Sequence, residues 1–112
     1  MRVLVADDAV GVATAFALHT EGVEAVAVAT CADLDAALRG VTVDAVVLDL
    51  RLPDAPDPDA LVALVRLRHA GRIVVASGDT RARDVAHRAG VACVTKPYSV
   101  EALVAALREE WP

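Results

Sequence analysis

The chain has 112 residues, a formal net charge of −5 and 56% hydrophobic residues, mostly Ala, Val and Leu. This length suits one domain with a buried core and is too short for two, and the composition excludes intrinsic disorder. With one Phe, one Tyr and one Trp, the chain lacks the aromatic platforms that bind single-stranded nucleic acid, and its acidic balance argues against binding a phosphate backbone.

Five short apolar runs alternate with segments of helical period, which predicts a parallel sheet covered by helices on both faces. The first run leads into Asp7 and Asp8, and the first helix is expected to begin near Ala9. The residues expected to face inward from this helix are Val12, Phe16 and Ala13.

The second strand is expected at residues 24–29. Thr30, with Asp33 three residues later, predicts the capped start of the second helix, and Gly40 ends that helix. Its buried stripe is expected at Leu34, Ala37 and Leu38.

The third run ends on Asp49, and a loop rich in Pro and Asp then leads to the third helix. This helix carries Leu61, Leu64, Val65 and Arg68. After the fourth run, Thr80 is expected to cap a short fourth helix that ends near Gly90, and Ser99 is expected to cap the fifth. The buried stripe of the fifth helix is expected at Leu103, Val104 and Leu107.

Four of the apolar runs end on side chains that can carry chemistry. These side chains are Asp7 with Asp8, Asp49, Ser77, and Lys96. The carboxyl ends of parallel strands lie at one edge of the sheet, where open α/β folds bind their ligands. Three carboxylates, one hydroxyl and one ammonium are therefore expected to converge, as they would around a divalent cation and a phosphoryl group.

These residues resemble the receiver domain of bacterial two-component response regulators. The motifs that carry the resemblance are Asp7-Asp8, Asp49-Leu50-Arg51-Leu52-Pro53, Ser77-Gly78 and Lys96-Pro97-Tyr98. The resemblance covers essentially all of residues 1–112 as a single domain. It implies an α/β, doubly wound, flavodoxin-like fold with five parallel strands in the order 2-1-3-4-5 and helices on both faces.

The resemblance implies that Asp49 is the phosphoacceptor, since a carboxylate can attack phosphorus and hold an acyl phosphate. It also implies a Mg²⁺ site formed by Asp7, Asp8, Asp49 and the backbone carbonyl of Arg51. Without a cation, the adjacent carboxylates would repel one another.

Ser77 is expected to donate its hydroxyl to a phosphoryl oxygen, and Lys96 is expected to supply a point charge to the same group. The Lys96-Pro97 pair matches a family pair whose peptide bond is typically cis. A further hypothesis is that Arg51 and Asp79 form a partly exposed ion pair that shields Asp49; two solvated charges are the alternative.

Three features depart from the family pattern. Cys93 stands three residues before Lys96, at a position that commonly holds the aromatic residue that reports phosphorylation to the surface. The stretch between Ser77 and Lys96 is a few residues short, and the loop after Asp49 is unusually rich in proline. The phosphorylation chemistry is thus expected to be intact and the output surface unusual.

The expected function is a phosphorylation-switched signalling receiver in a two-component system or phosphorelay. It would accept a phosphoryl group on Asp49 from a sensor histidine kinase or phosphotransfer protein, and would regulate a downstream protein or an attached output domain. Its catalysis would be limited to its own phosphorylation and dephosphorylation. One alternative is a pseudo-receiver that acts without phosphorylation. Another is a small aspartyl phosphatase resembling the haloacid dehalogenases, in which an acid would stand at the position of Arg51.

The remaining expectations concern location and assembly. The cytoplasm is expected, because Cys31 and Cys93 are too few for a disulfide framework and no apolar run nears the roughly 20 residues that span a bilayer. No membrane and no nucleic acid is expected as a direct partner. By family analogy, a homodimer could form through the fourth helix, fifth strand and fifth helix.

Overall fold

The computed structural model of the protein describes residues 1–109. The strands are β1 Arg2–Ala6, β2 Glu24–Val28, β3 Ala45–Leu48, β4 Arg72–Ser77 and β5 Ala92–Thr95. The helices are α1 Gly11–Thr20, α2 Cys31–Gly40, α3 Pro58–Arg68, α4 Ala82–Ala89 and α5 Val100–Arg108. All strand pairs are parallel and follow the order β2-β1-β3-β4-β5, so the predicted fold class is confirmed.

Helices cover both faces of the sheet, and the central strands are buried on both sides. On one face, side chains such as Leu48 and Val75 pack against α2, α3 and α4. On the other face, Val47 and Val74 pack against α1 and α5. This arrangement explains why the strands are continuous apolar runs rather than alternating ones.

The order of the strands reverses between β1 and β3, which brings the ends of these two strands side by side. Ala6 pairs with Leu48 in the register, and the N–H of Asp49 donates to the carbonyl of Ala6 at 2.9 Å. Asp7 and Asp49 therefore leave the sheet next to each other, at the kind of crevice in which open α/β sheets bind ligands.

Side chains cap the N-termini of α2, α3 and α5. Thr30, Asp57 and Ser99 each accept a hydrogen bond from the N–H three residues later, at 3.0, 3.2 and 3.1 Å. The predicted caps at Thr30 and Ser99 are confirmed, and Gly90 ends α4 with φ +69° as a left-handed cap residue.

The predicted cap at Thr80 is wrong. No side chain caps α4 at its N-cap residue, Arg81. Instead, the Asp79 carboxylate accepts from the N–H of Arg81 at 2.8 Å, and the Asp79 carbonyl accepts from the N–H of Ala82 at 3.1 Å. An ionised carboxylate is a stronger acceptor than a hydroxyl, so the aspartate organises this turn.

Asp54 forms a contact between elements that the sequence analysis did not predict. Its carboxylate accepts hydrogen bonds from the N–H groups of Cys31 at 2.6 Å and Ala32 at 3.0 Å, at the start of α2. These backbone hydrogen bonds hold the pKa of Asp54 below its ordinary value. The loop that follows Asp49 is thereby anchored to the positive end of a helix.

The face of α1 that packs on the sheet differs from the prediction. The side chains of Val12 and Phe16 are 80% and 72% exposed, and Ala13 is exposed too. The buried residues are Gly11, Thr14, Ala15 and Leu18. The helix begins at Gly11 rather than Ala9, and three of its four buried residues are small, which lets it lie close to the sheet. Val12 and Phe16 therefore turn outward, whereas Leu18 is the large apolar side chain of this helix that stays buried.

Phe16→Ser is expected to change the free energy of unfolding by less than about 0.5 kcal/mol, because the ring is already exposed. Leu18→Ala, at a buried position of the same helix, serves as the comparison and should cost roughly 2–5 kcal/mol. Urea unfolding of both variants measures the difference. A loss for Phe16→Ser as large as that for Leu18→Ala would contradict this orientation of α1.

Among residues 1–109, no helix combines the length and the apolar character needed to cross a membrane.

Candidate functional site

The Asp49 carboxylate lies at the centre of the site, and the residue is 3% exposed. The Ser77 hydroxyl donates to Asp49 Oδ1 at 2.9 Å, and the Arg51 N–H donates to the same oxygen at 3.2 Å. Lys96 Nζ donates to Asp49 Oδ2 at 3.1 Å. Both oxygens of this carboxylate are therefore held by donors, and one of those donors is charged.

Lys96 also binds a second carboxylate. Its Nζ lies 2.7 Å from Asp7 Oδ2, while Asp7 Oδ1 accepts hydrogen bonds from the N–H groups of Ala9 at 2.8 Å and Val10 at 3.0 Å. The ammonium thus lies between Asp7 and Asp49, as the sequence predicted from the ends of β1, β3 and β5.

Opposing effects set the pKa values of this pair. Burial raises the pKa of Asp7, but the hydrogen bond from Lys96 and those from two backbone N–H groups outweigh it and leave the pKa below its ordinary value. Burial lowers the pKa of Lys96, but its hydrogen bonds to Asp7 and Asp49 outweigh it and raise the pKa. Lys96 is therefore a cation and Asp7 an anion at neutral pH.

Asp7, Asp8 and Asp49 form an acidic cluster that suits a divalent cation. Each offers a carboxylate oxygen, and these oxygens all lie within 4.8 Å of one another. Asp7 and Asp49 are buried, whereas Asp8 is exposed and leaves the cluster open to solvent. Oxygen ligands are those that Mg²⁺ prefers, and the single Lys96 ammonium leaves negative charge uncompensated. The residues present therefore fit a Mg²⁺ ion, although the predicted fourth ligand, the Arg51 carbonyl, stays a prediction.

The proposed ion pair between Arg51 and Asp79 is present but long. Arg51 Nε lies 3.8 Å from Asp79 Oδ2, and the arginine side chain is 63% exposed. Asp79 is bound more closely by Arg81, whose Nε and Nη2 donate to its two oxygens at 3.0 and 2.8 Å. The hydrogen bonds from Arg81 are the main reason why the pKa of Asp79 lies well below its ordinary value. Sequence reasoning missed Arg81, because only the local turn brings its side chain back to Asp79.

Cys93 and Tyr98 pack on opposite faces of the sheet. Cys93 is half-buried against the core beneath α2, α3 and α4, whereas Tyr98 packs against the core beneath α1 and α5. The Tyr98 hydroxyl shares a hydrogen bond of 3.3 Å with the Thr14 hydroxyl, and the Lys96-Pro97 peptide bond is cis, as the resemblance implies. Tyr98 therefore does not occupy the place of the aromatic residue that Cys93 replaces.

No protein-family model and no curated protein matches the sequence. Solved structures do match the fold. A CheY-like response regulator receiver domain protein from Methanospirillum hungatei JF-1 is 25% identical, with a TM-score of 0.78 over 92% of this chain and 86% of that chain. The chain has the fold of a response regulator receiver domain.

Two further solved structures are similar. The receiver domain of a sensor histidine kinase from Pseudomonas aeruginosa PAO1, with a magnesium ion coordinated in its active-site cleft, is 19% identical with a TM-score of 0.80, covering 96% of this chain and 93% of that chain. A response regulator from Burkholderia pseudomallei with a phosphorylated aspartic acid, a calcium ion and citrate is 23% identical with a TM-score of 0.80. The match covers 96% of this chain and 66% of that chain. The family resemblance drawn from the receiver motifs is thus confirmed in the fold.

Proposed function

We propose that this receiver domain accepts a phosphoryl group on Asp49 and works as a phosphorylation-switched signalling module. The observation that carries the proposal is the set of contacts around Asp49: a buried carboxylate held by the Ser77 hydroxyl at 2.9 Å and the Lys96 ammonium at 3.1 Å, beside two further carboxylates. The similar structures that hold a phosphorylated aspartic acid or a magnesium ion support it.

In this proposal, an oxygen of Asp49 attacks the phosphorus of a phosphohistidine. The bond between phosphorus and the histidine nitrogen breaks, and its electron pair leaves with the imidazole. Ser77 and Lys96 already touch the two Asp49 oxygens, so each needs only a short movement to donate to an oxygen of the bound phosphoryl group. Their donors stabilise charge on that group.

Asp7, Asp8, Asp49 and the Arg51 carbonyl would hold Mg²⁺. When bound, the ion supplies positive charge that neutralises both the carboxylates and the phosphoryl oxygens.

The partner that delivers the phosphoryl group is proposed to be a sensor histidine kinase or a phosphotransfer protein. A cleft of about 410 Å³ lies beside the site and is lined by Val10, Thr14, Lys96, Pro97 and Tyr98. It is mostly apolar and reaches Lys96, whose ammonium contacts Asp49, so a donor protein seated there would have its phosphohistidine next to the acceptor. A homodimer through α4, β5 and α5 stays a prediction.

One observation favours a second candidate, the pseudo-receiver that acts without phosphorylation. Cys93 replaces an aromatic residue on the face of the sheet toward α4, and Tyr98 lies on the other face. A domain that no longer transmits phosphorylation could keep the acidic cluster and lose this aromatic side chain.

Phosphoryl uptake separates the two candidates. Incubation with Mg²⁺ and acetyl phosphate is expected to add the mass of one phosphoryl group to the intact protein, and chelation of Mg²⁺ with EDTA should abolish the gain, because the clustered carboxylates then keep their repulsion. Intact-mass spectrometry measures both. The absence of any gain at saturating Mg²⁺ and phosphodonor would reject phosphorylation and favour the pseudo-receiver. Turnover of a phosphomonoester would instead favour the small aspartyl phosphatase.

A further inference from the structure

Arg81 holds both oxygens of the Asp79 carboxylate. Its backbone N–H and Nε donate to Oδ1 at 2.8 and 3.0 Å, and its Nη2 donates to Oδ2 at 2.8 Å. The Asp79 side chain is only 7% exposed, whereas that of Arg81 is 64% exposed. A mostly exposed cation thus neutralises a buried anion from the solvent side, in the forked geometry that arginine offers to carboxylates.

Asp79 is also part of the phosphoacceptor site. Its N–H donates to Ser77 Oγ at 3.2 Å, and that hydroxyl donates to Asp49 Oδ1 at 2.9 Å. Its carboxylate faces the rim of the same site, because Arg51 Nε lies 3.8 Å from Asp79 Oδ2 while the Arg51 N–H binds Asp49. A carboxylate at this rim, if no arginine bound it, would be a group able to accept a proton from water beside the phosphoryl group.

We propose that Arg81 is a positioning residue that prolongs the lifetime of the phosphoryl group on Asp49 by occupying the Asp79 carboxylate. The inference rests on the proposed function and goes beyond it, because it names the residue that slows the loss of the group. Two arginines contact the Asp79 carboxylate. The effect on the lifetime of the phosphoryl group is assigned to Arg81, whose contacts are short, and not to Arg51, whose contact is longer.

Loss of the phosphoryl group is a hydrolysis. A water oxygen bonds to phosphorus while the bond from phosphorus to the Asp49 oxygen breaks, and the electron pair of that bond returns to the carboxylate. One water proton stays on the new hydroxyl of the phosphate, and the other must pass to a phosphate oxygen. A carboxylate that is free to accept this second proton and hand it on would speed the reaction. Because Arg81 donates to both oxygens, Asp79 is a weaker proton acceptor and has less freedom to orient the attacking water.

Arg81→Gln tests the inference. After phosphorylation with acetyl phosphate and removal of the donor, intact-mass spectrometry follows the decay of the phosphorylated protein. Arg81→Gln is expected to lose the group about threefold to tenfold faster than the unmodified protein, because Asp79 loses both guanidinium hydrogen bonds and keeps only the one from the backbone N–H. Arg81→Lys keeps the positive charge but lacks the two guanidinium donors that bind both carboxylate oxygens, so its rate of phosphoryl loss should be intermediate. Arg83→Gln, which removes the same charge from an exposed position of α4, should stay within about twofold of the unmodified protein.

A double-mutant cycle shows whether Arg81 acts through Asp79. In the Asp79→Asn background, Arg81→Gln is expected to leave the decay rate unchanged, since the carboxylate is absent. An unchanged rate for Arg81→Gln alone, or equal acceleration in both backgrounds, would overturn the inference while leaving the proposed function intact. If the unmodified protein takes up no phosphoryl group at all, the proposed function fails first and the inference falls with it.

Discussion

Asp49→Asn is expected to abolish the uptake of a phosphoryl group completely. The amide has no anionic oxygen to attack phosphorus, so no acyl phosphate can form, whereas the neighbouring Ser77, Lys96 and Asp7 remain. The measurement is the intact mass after incubation with Mg²⁺ and acetyl phosphate. No residual gain is expected, because Asp49 is the one phosphoacceptor in the proposal.

Asp59→Asn is the matched control, since it makes the same change at an exposed residue of α3. Its phosphoryl uptake should equal that of the unmodified protein. The Asp49→Asn variant should stay folded, because the amide oxygen can still accept from Ser77, and far-ultraviolet circular dichroism checks this. A full mass gain in folded Asp49→Asn would place the phosphorylation elsewhere and remove the central residue of the proposal.

The sheet and the rim of the site were predictable from local sequence. The central strands β1, β3 and β4 are short runs rich in Val, Ala and Leu that are buried on both faces. Each run that carries chemistry ends on its polar residue at the same edge of a parallel sheet. Asp7 and Asp49 therefore had to lie side by side once the strand order was known, whereas Lys96 reaches them from the end of β5 with its long side chain. That order came from the family resemblance, because apolar runs of this kind do not say which strands are neighbours.

The features that were missed depend on contacts that a periodic pattern does not contain. On α1 the small residues Thr14 and Ala15 pack on the sheet beside Leu18, and Phe16 faces outward, against the usual assignment of a large apolar side chain to the core. Asp79 rather than Thr80 organises the start of α4 because Arg81 folds back onto it. Asp54 caps a helix that begins 23 residues earlier in the chain, so its role depends on the fold.

Lys96→Met is expected to reduce the rate of phosphoryl uptake about 100-fold, because it removes a charged donor that lies 3.1 Å from Asp49. Methionine keeps much of the length of the side chain and loses only the ammonium. The rate is measured from the appearance of phosphorylated protein by intact mass. Arg83→Met, at an exposed position of α4, removes a cation outside the site and should leave the rate unchanged.

The same variant should lose about 3 kcal/mol of unfolding free energy at pH 7, because Asp7 and Asp49 stay buried without their shared cation. The deficit should depend on pH. The pKa of Asp7 in the folded protein lies below its ordinary value of 3.8, so the stabilisation by Lys96 is present above about pH 4 and is lost as the pH falls through the folded pKa. Denaturant unfolding at several pH values should therefore show the two proteins converging under acid conditions. A deficit that stays constant down to pH 2, or a Lys96→Met variant as stable as Arg83→Met at pH 7, would mean that the ammonium does not compensate the buried acids.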